Sequence, residues 1–156
     1  MSRKVNVGIV GCGSISDAYF NGSKKFDILN IVACADLDPA RAEAKAAKYG
    51  VRACATVAEL INDPEVEIVV NLTVPKAHVE VNLAALKAGK HAYCEKPFGL
   101  NPAESAKVIA LAKKKKLLVG SAPDTFLGGG IQTARKLVDD GAIGRPVAAL
   151  AFMMCH

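Results

Sequence analysis

The stretch VNVGIVGCGSIS, residues 5–16, decides the fold. A β-branched run, Val5 to Val10, ends at a glycine and passes into Gly11-Cys12-Gly13-Ser14-Ile15-Ser16, a GxGxx[G/A/S] pattern. Small residues suit this position because a pyrophosphate must approach the backbone closely. The N–H groups that open the following helix, at the positive end of its dipole, then neutralise the anion. Ser16 stands where a third glycine is usual and is small enough for helix and strand to pack closely. The same glycines also serve a tight turn that binds nothing, so the motif needs its context.

That context lies immediately downstream. A second apolar run, Ile28 to Ala35, ends in Cys34-Ala35-Asp36, which places the acid 23 residues after Gly13. The spacing is close to the roughly 20 residues expected for a carboxylate that accepts hydrogen bonds from the adenosine ribose hydroxyls. An acid at a strand end also serves as a helix cap, but Asp38, directly before Pro39, fills that role better. Strand, glycine turn, helix, strand and acid together predict dinucleotide binding. The charge of Asp36 repels a 2′-phosphate, which favours NAD over NADP, while Arg41, one helical turn on, offsets part of that repulsion.

The rest of the chain repeats the alternation. Val66 to Leu72, His91 to Cys94 and Leu117 to Ser121 read as further apolar strands, with a weaker one at Val51 to Cys54. Between them, Pro39 to Tyr49 is bounded by Asp38 and Gly50, Val79, Leu83 and Leu86 fall at helical spacing before Gly89, and Pro102 to Lys116 follows Asn101. A β-α-β-α order with short connections predicts an α/β fold, a doubly wound parallel sheet with helices on both faces. After residue 122 the pattern changes. One amphipathic helix carries Ile131, Ala134, Leu137 and Val138, and Pro146 to Met154 then reads as an apolar strand with no neighbour in sequence. The expected division is a cofactor domain over 1–122, then a helix and the first strand of a second α/β domain over 123–156.

Composition narrows the function classes. A chain of 156 residues with 51% hydrophobic and 22% charged residues buries a real core. Aromatic residues are 5% and Trp is absent, which does not suit a base-stacking surface. The net charge of +5 owes much to Lys113–Lys116 at a helix end, where the dipole favours cations, so no nucleic-acid partner is inferred. Five cysteines without CxxC spacing, and histidines (His78, His91, His156) without ligand spacing, read as reduced thiols and no metal site. No signal peptide or membrane span is legible, and the expected location is the cytoplasm.

The segment HAYCEKPFG, residues 91–99, puts Glu95, Lys96 and Pro97 directly after a strand, on the edge where a doubly wound sheet holds its ligand. Pro97 restrains its own φ and biases the residue before it, which steadies the lysine. Those three residues alone also fit an exposed loop. Taken with Gly11 to Ser16, Asp36, Thr73-Val-Pro-Lys-Ala-His78 and Gly89-Lys-His-Ala-Tyr-Cys-Glu-Lys-Pro97, they resemble the Gfo/Idh/MocA oxidoreductase family. The G-K-H-x-x-C-E-K-P block is the most diagnostic part, and the resemblance runs from about residue 3 to the chain end.

The resemblance implies a Rossmann cofactor domain of an NAD(P)-dependent dehydrogenase that acts on a sugar, inositol or related polyol, as a homo-oligomer in full-length form. It implies that Lys96 is the catalytic residue, beside the nicotinamide and the substrate hydroxyl, with Glu95 and Pro97 shaping its loop. It also implies that Leu72, Thr73, Val74 and His78 line the cofactor and that Asp124 faces the nicotinamide. Gly11, Cys12, Gly13, Ser14, Ile15, Asp36, Leu37 and Arg41 complete the expected cofactor set. Gly128-Gly129-Gly130 departs from the bulkier family pattern at the crossover. The chemistry agrees with this role for Lys96: a lysine partly desolvated beside an oxidised nicotinamide gives up its proton readily, and arginine does not. Such a lysine exchanges a proton with the carbinol oxygen while hydride moves. An NAD(H)-binding sensor without catalysis is the alternative, and an S-adenosylmethionine module leaves the Glu-Lys-Pro turn unexplained. The expected behaviour of this chain alone is cofactor binding with poor turnover, and self-association through an exposed 146–154 strand.

Overall fold

A computed structural model describes residues 3–122, 125–152 and 154. The chain divides into two compact units, Met1–Ala122 and Pro123–His156. The first contains strands β1 (Val5–Val10), β2 (Leu29–Ala35), β3 (Arg52–Ala53), β4 (Ile68–Asn71), β5 (His91–Cys94) and β6 (Val119–Ser121). Its helices are α1 (Ser16–Ser23), α2 (Pro39–Tyr49), α3 (Val57–Asn62), α4 (His78–Lys87) and α5 (Pro102–Lys115), with a 3-10 turn at Pro75–Ala77. All strand pairs are parallel, in the order β3-β2-β1-β4-β5-β6. The order reverses between β1 and β4, so the crevice at the carboxyl ends of these two strands is the switch point where such sheets bind ligands.

Side-chain alternation along the strands sorts the core onto two faces. Val7, Ile9, Cys34 and Val70 pack with Phe20, Ala42 and Ala46 of α1 and α2. Val10, Ala33, Ala35, Val69 and Ala92 pack with Leu60, Ile61 and Ala85 of α3 and α4. Leu86, Val108 and Ala112 form a third cluster that joins α4 to α5. Phe20 is 2% exposed and stacks on Tyr49 at 4.3 Å between ring centroids, tying α1 to α2. A pair of this kind adds about 1 kcal/mol beyond the area it buries.

Local signals set the helix ends. The Asp38 carboxylate accepts from Ala40 N and Asn101 Oδ1 from Ala103 N, each followed by a proline in the first turn. Gly50 closes α2 at φ 71. Lys113, Lys114 and Lys115 lie in the last turn of α5, where they meet the negative end of the dipole.

Two expectations need correction. Helix α3 was not foreseen; Thr56 caps it by accepting from Glu59 N, and Glu59 accepts in turn from Ala55 N. Residues 146–152 and 154, where a strand is expected, carry no strand in this structure. Apolar, β-branched composition supplies propensity, but a strand exists only when a partner completes its ladder. In the second unit the described elements are a 3-10 turn (Thr125–Leu127) and helix α6 (Gly129–Asp139).

Candidate functional site

The register of the sheet assembles the site. After β1, β4, β5 and β6 the residue that follows the strand donates its N–H to the last residue of a strand beside it. Gly11 bonds Ala35 O at 2.8 Å, Leu72 bonds Val10 O at 2.7 Å, Glu95 bonds Asn71 O at 2.9 Å and Ala122 bonds Cys94 O at 3.0 Å. Gly11, Leu72 and Glu95, widely separated in sequence, therefore stand in one row along the carboxyl edge, with Asp36 following Ala35 in the same row.

Gly11 adopts φ 100, and a Cβ there would lie 2.7 Å from the carbonyl carbon and oxygen of Leu72. Only glycine lets the turn and the end of β4 approach so closely. Gly13 differs, because nothing lies within 4 Å of a Cβ built on it. The space over Gly13 opens at the start of α1, whose N-terminus has no side-chain cap. Ser16 is buried, and its hydroxyl donates to Gly13 O at 2.6 Å, so the serine in the third glycine position fastens the turn from below. Ser14 and Ile15 are exposed on its rim. The Cys12 thiol is buried, and its hydrogen bond with Cys34 together with that burial pushes its pKa up. Cys12 therefore adds no negative charge where an anion would bind.

Asp36 stands at the other side of the glycine turn, at the end of β2. Its Oδ2 accepts from Cys12 N at 2.6 Å and its Oδ1 from Asp38 N at 3.0 Å. Leu37 is exposed beside it, and Arg41 pairs with Asp38 at 3.4 Å. Beyond the switch point, Leu72 is buried, Thr73 half-buried and Val74 exposed. The Thr73 hydroxyl donates to Asn71 Oδ1 at 2.6 Å. At the far end, Glu95 Oε1 accepts from the Tyr19 hydroxyl at 2.8 Å, and its Oε2 accepts from Lys96 N at 3.1 Å. Lys96 and Pro97 are exposed and joined by a cis peptide. His78, expected to line the cofactor, is 1% exposed and places both ring nitrogens against backbone carbonyls. Asp124 lies outside the described residues.

Sequence reasoning missed Asn71, Asn82 and Tyr19. Asn71 and Asn82 are both fully buried, and Asn71 Nδ2 donates to Asn82 Oδ1 and to His78 O, each at 3.0 Å. An asparagine inside the apolar run VEIVVNL was the available signal, since a buried amide is kept only where it is hydrogen-bonded.

These residues fit a dinucleotide. Room over Gly13, an uncapped helix start and a carboxylate at the end of β2 are what pyrophosphate and ribose require. Residues 5–122 match the Gfo/Idh/MocA oxidoreductase family, described by its NAD-binding Rossmann fold. The chain belongs to this family. Among relatives of the family, an inositol 2-dehydrogenase/D-chiro-inositol 3-dehydrogenase of Lactiplantibacillus plantarum is 36% identical over 151 residues, covering 90% of this chain and 41% of that protein. Biliverdin reductase from Synechocystis, solved with biliverdin and NADP+, superposes at a TM-score of 0.80 with 32% identity, over 86% of this chain and 43% of that one. The WlbA dehydrogenase of Chromobacterium violaceum, solved with NADH and UDP-GlcNAcA, shares the fold at a TM-score of 0.87 with 23% identity, over 93% of this chain and 42% of its own. The chain spans about two fifths of the length of the curated relatives that it matches. Among the described residues no cluster of His, Cys, Asp or Glu is placed to hold a metal, and no helix is long and apolar enough to cross a membrane.

Proposed function

We propose that this chain is the cofactor-binding part of a dehydrogenase that oxidises a hydroxyl of a sugar, inositol or related polyol, and that it prefers NAD to NADP. The observation that carries the reading is the single row formed by the glycine turn, Asp36 and the Glu95-Lys96-Pro97 turn along the carboxyl edge of the sheet. Gly11, Cys12, Gly13, Ser14 and Ile15 would hold the pyrophosphate, Asp36 with Leu37 the adenosine ribose, and Leu72, Thr73 and Val74 the middle of the dinucleotide. The bound nicotinamide supplies hydride transfer. Lys96 would accept or return the proton of the substrate hydroxyl; its exposure, directly after Glu95 in the row, supports that role. The pairing of Arg41 with Asp38 leaves the Asp36 charge to oppose a 2′-phosphate, which supports the NAD preference. The printed activity of the inositol dehydrogenase relative supports the substrate class. Buried Cys12, Cys34, Cys54 and Cys94 as free thiols suit a reducing, cytoplasmic setting.

Titration of the chain with NADH and with NADPH, followed by fluorescence of the reduced nicotinamide, tests the reading. Tighter binding of NADH supports it, equal or tighter binding of NADPH overturns the NAD preference, and binding of neither overturns the cofactor site.

A further inference from the structure

We infer that His78 is a positioning residue, which clamps the loop after β4 to the Lys96 turn and thereby sets where Lys96 stands at the nicotinamide end of the site. The inference rests on the cofactor reading above and goes beyond it by assigning a role to a side chain that faces no ligand.

The geometry is a bridge between two loops. His78 opens α4 with its ring buried; Nδ1 lies 2.7 Å from Pro97 O and Nε2 2.9 Å from Thr73 O. The two carbonyls belong to segments 24 residues apart in sequence. Carbonyl oxygens only accept, so the ring donates once for each N–H it carries: to Pro97 O or to Thr73 O, according to tautomer, when it holds one proton, and to both when it holds two; either way its diverging nitrogens span the two loops. An amide side chain carries both of its N–H groups on one nitrogen, which does not span two carbonyls as the diverging ring nitrogens do.

The histidine is itself held. Asn71 Nδ2 donates to the His78 carbonyl at 3.0 Å, while Asn71 Oδ1 accepts from Thr73 N at 3.2 Å and from the Thr73 hydroxyl at 2.6 Å. The end of β4, the loop 73–77 and the start of α4 are thus joined through one buried amide. On the other side of Lys96, the Tyr19 hydroxyl of α1 holds Glu95 at 2.8 Å. Lys96 therefore stands between two anchored neighbours, Glu95 fixed from α1 and Pro97 from α4. Removal of the His78 donors frees one anchor and leaves the glycine turn and Asp36 untouched.

This separation gives a test that a general loss of fold does not imitate. In the 156-residue chain, ADP-ribose probes the pyrophosphate and adenosine end, and NADH probes the same end plus the nicotinamide. His78→Leu should bind ADP-ribose within twofold of wild type and NADH about fivefold to tenfold more weakly. His78→Gln, which keeps a donor for one loop, should fall between. Lys96→Met should produce a similar selective loss, and the double variant with His78→Leu should lose no more than either alone, because both remove the same placed ammonium. Additive losses, or equal loss of ADP-ribose and NADH in His78→Gln with its thermal transition intact, overturn the inference and leave the cofactor site standing. Failure of the wild-type chain to bind either nucleotide overturns both.

Discussion

The backbone N–H of Cys12 donates to Asp36 Oδ2 at 2.6 Å, so the middle of the glycine turn hangs from the end of the second strand. The carboxylate is committed before any ligand arrives, with its other oxygen on Asp38 N at 3.0 Å. On the proposed reading it is held in place to meet a ribose, with its charge where a 2′-phosphate would fall. Asp36→Ala should weaken NADH binding by tenfold or more, in line with about 1.5–3 kcal/mol for a hydrogen bond to a charged group. It should weaken NADPH binding less, so the ratio of the two dissociation constants moves towards one. A ratio that stays at the wild-type value would remove Asp36 from cofactor discrimination.

The same bond shows what was legible in the sequence and what was not. Asp36 was found by its spacing, and α2 and α5 by Asp38-Pro39, Gly50 and Asn101-Pro102, because caps and turns are local chemistry. Strand limits extend less far than the apolar runs: β4 begins at the half-buried Ile68, although Val66 before it is more deeply buried, since only pairing defines a strand and burial does not. Helix α3 is six residues long and too short for a periodicity to emerge, so Thr56 and Glu59 were its only signal. The 146–154 run has the composition of a strand, but among the described residues no strand pairs with it. The role of His78 depends on the carbonyls of Thr73 and Pro97, which no spacing rule connects to it.

Gly11 and Gly13 sit two residues apart and should respond differently to the same substitution. A methyl at Gly11 would meet backbone atoms of Leu72 at 2.7 Å in a chain already at φ 100, and neither side can give way. Gly11→Ala should lower stability by at least about 2 kcal/mol, read from chemical denaturation. Gly13→Ala meets no protein atom within 4 Å, so its denaturation midpoint should stay within error of wild type while nucleotide binding falls at least tenfold. Retained binding in Gly13→Ala would show that the pyrophosphate does not lie over this residue.

Val147, Leu150, Phe152 and Met154 are each at least 80% exposed. Apolar side chains so disposed favour association between copies. Sedimentation velocity over a tenfold concentration range should show species larger than a monomer, and replacement of Leu150 and Phe152 by serine should shift the distribution towards monomer. A single monomeric boundary for the wild-type chain at every concentration would contradict the expectation.

Asp17 ties α1 to α2, and its contribution should depend on pH in one direction. Its Oδ1 accepts from Lys45 Nζ at 2.6 Å, from the Tyr49 hydroxyl at 2.7 Å and from Lys48 Nζ at 3.3 Å. The Lys45 hydrogen bond first, and then that of Tyr49, hold the carboxyl well below the usual aspartate range. A group whose folded pKa is depressed stabilises the protein above its unfolded value, about 3.9 for aspartate, and loses that contribution as pH falls towards the folded value. The carboxylate is partly exposed, so salt and solvent reduce the size of the effect. Asp17→Asn should therefore melt below wild type at pH 7, and the gap should narrow below about pH 4, where the Asp17 carboxyl of the unfolded chain takes up a proton while that of the folded chain stays ionised. Tyr49→Phe removes one donor without touching the charge and should lower the melting temperature by less. Thermal denaturation of the three proteins between pH 3 and 7 would decide the matter. A gap between wild type and Asp17→Asn that stays constant across that range would mean that Asp17 contributes by packing and not by charge.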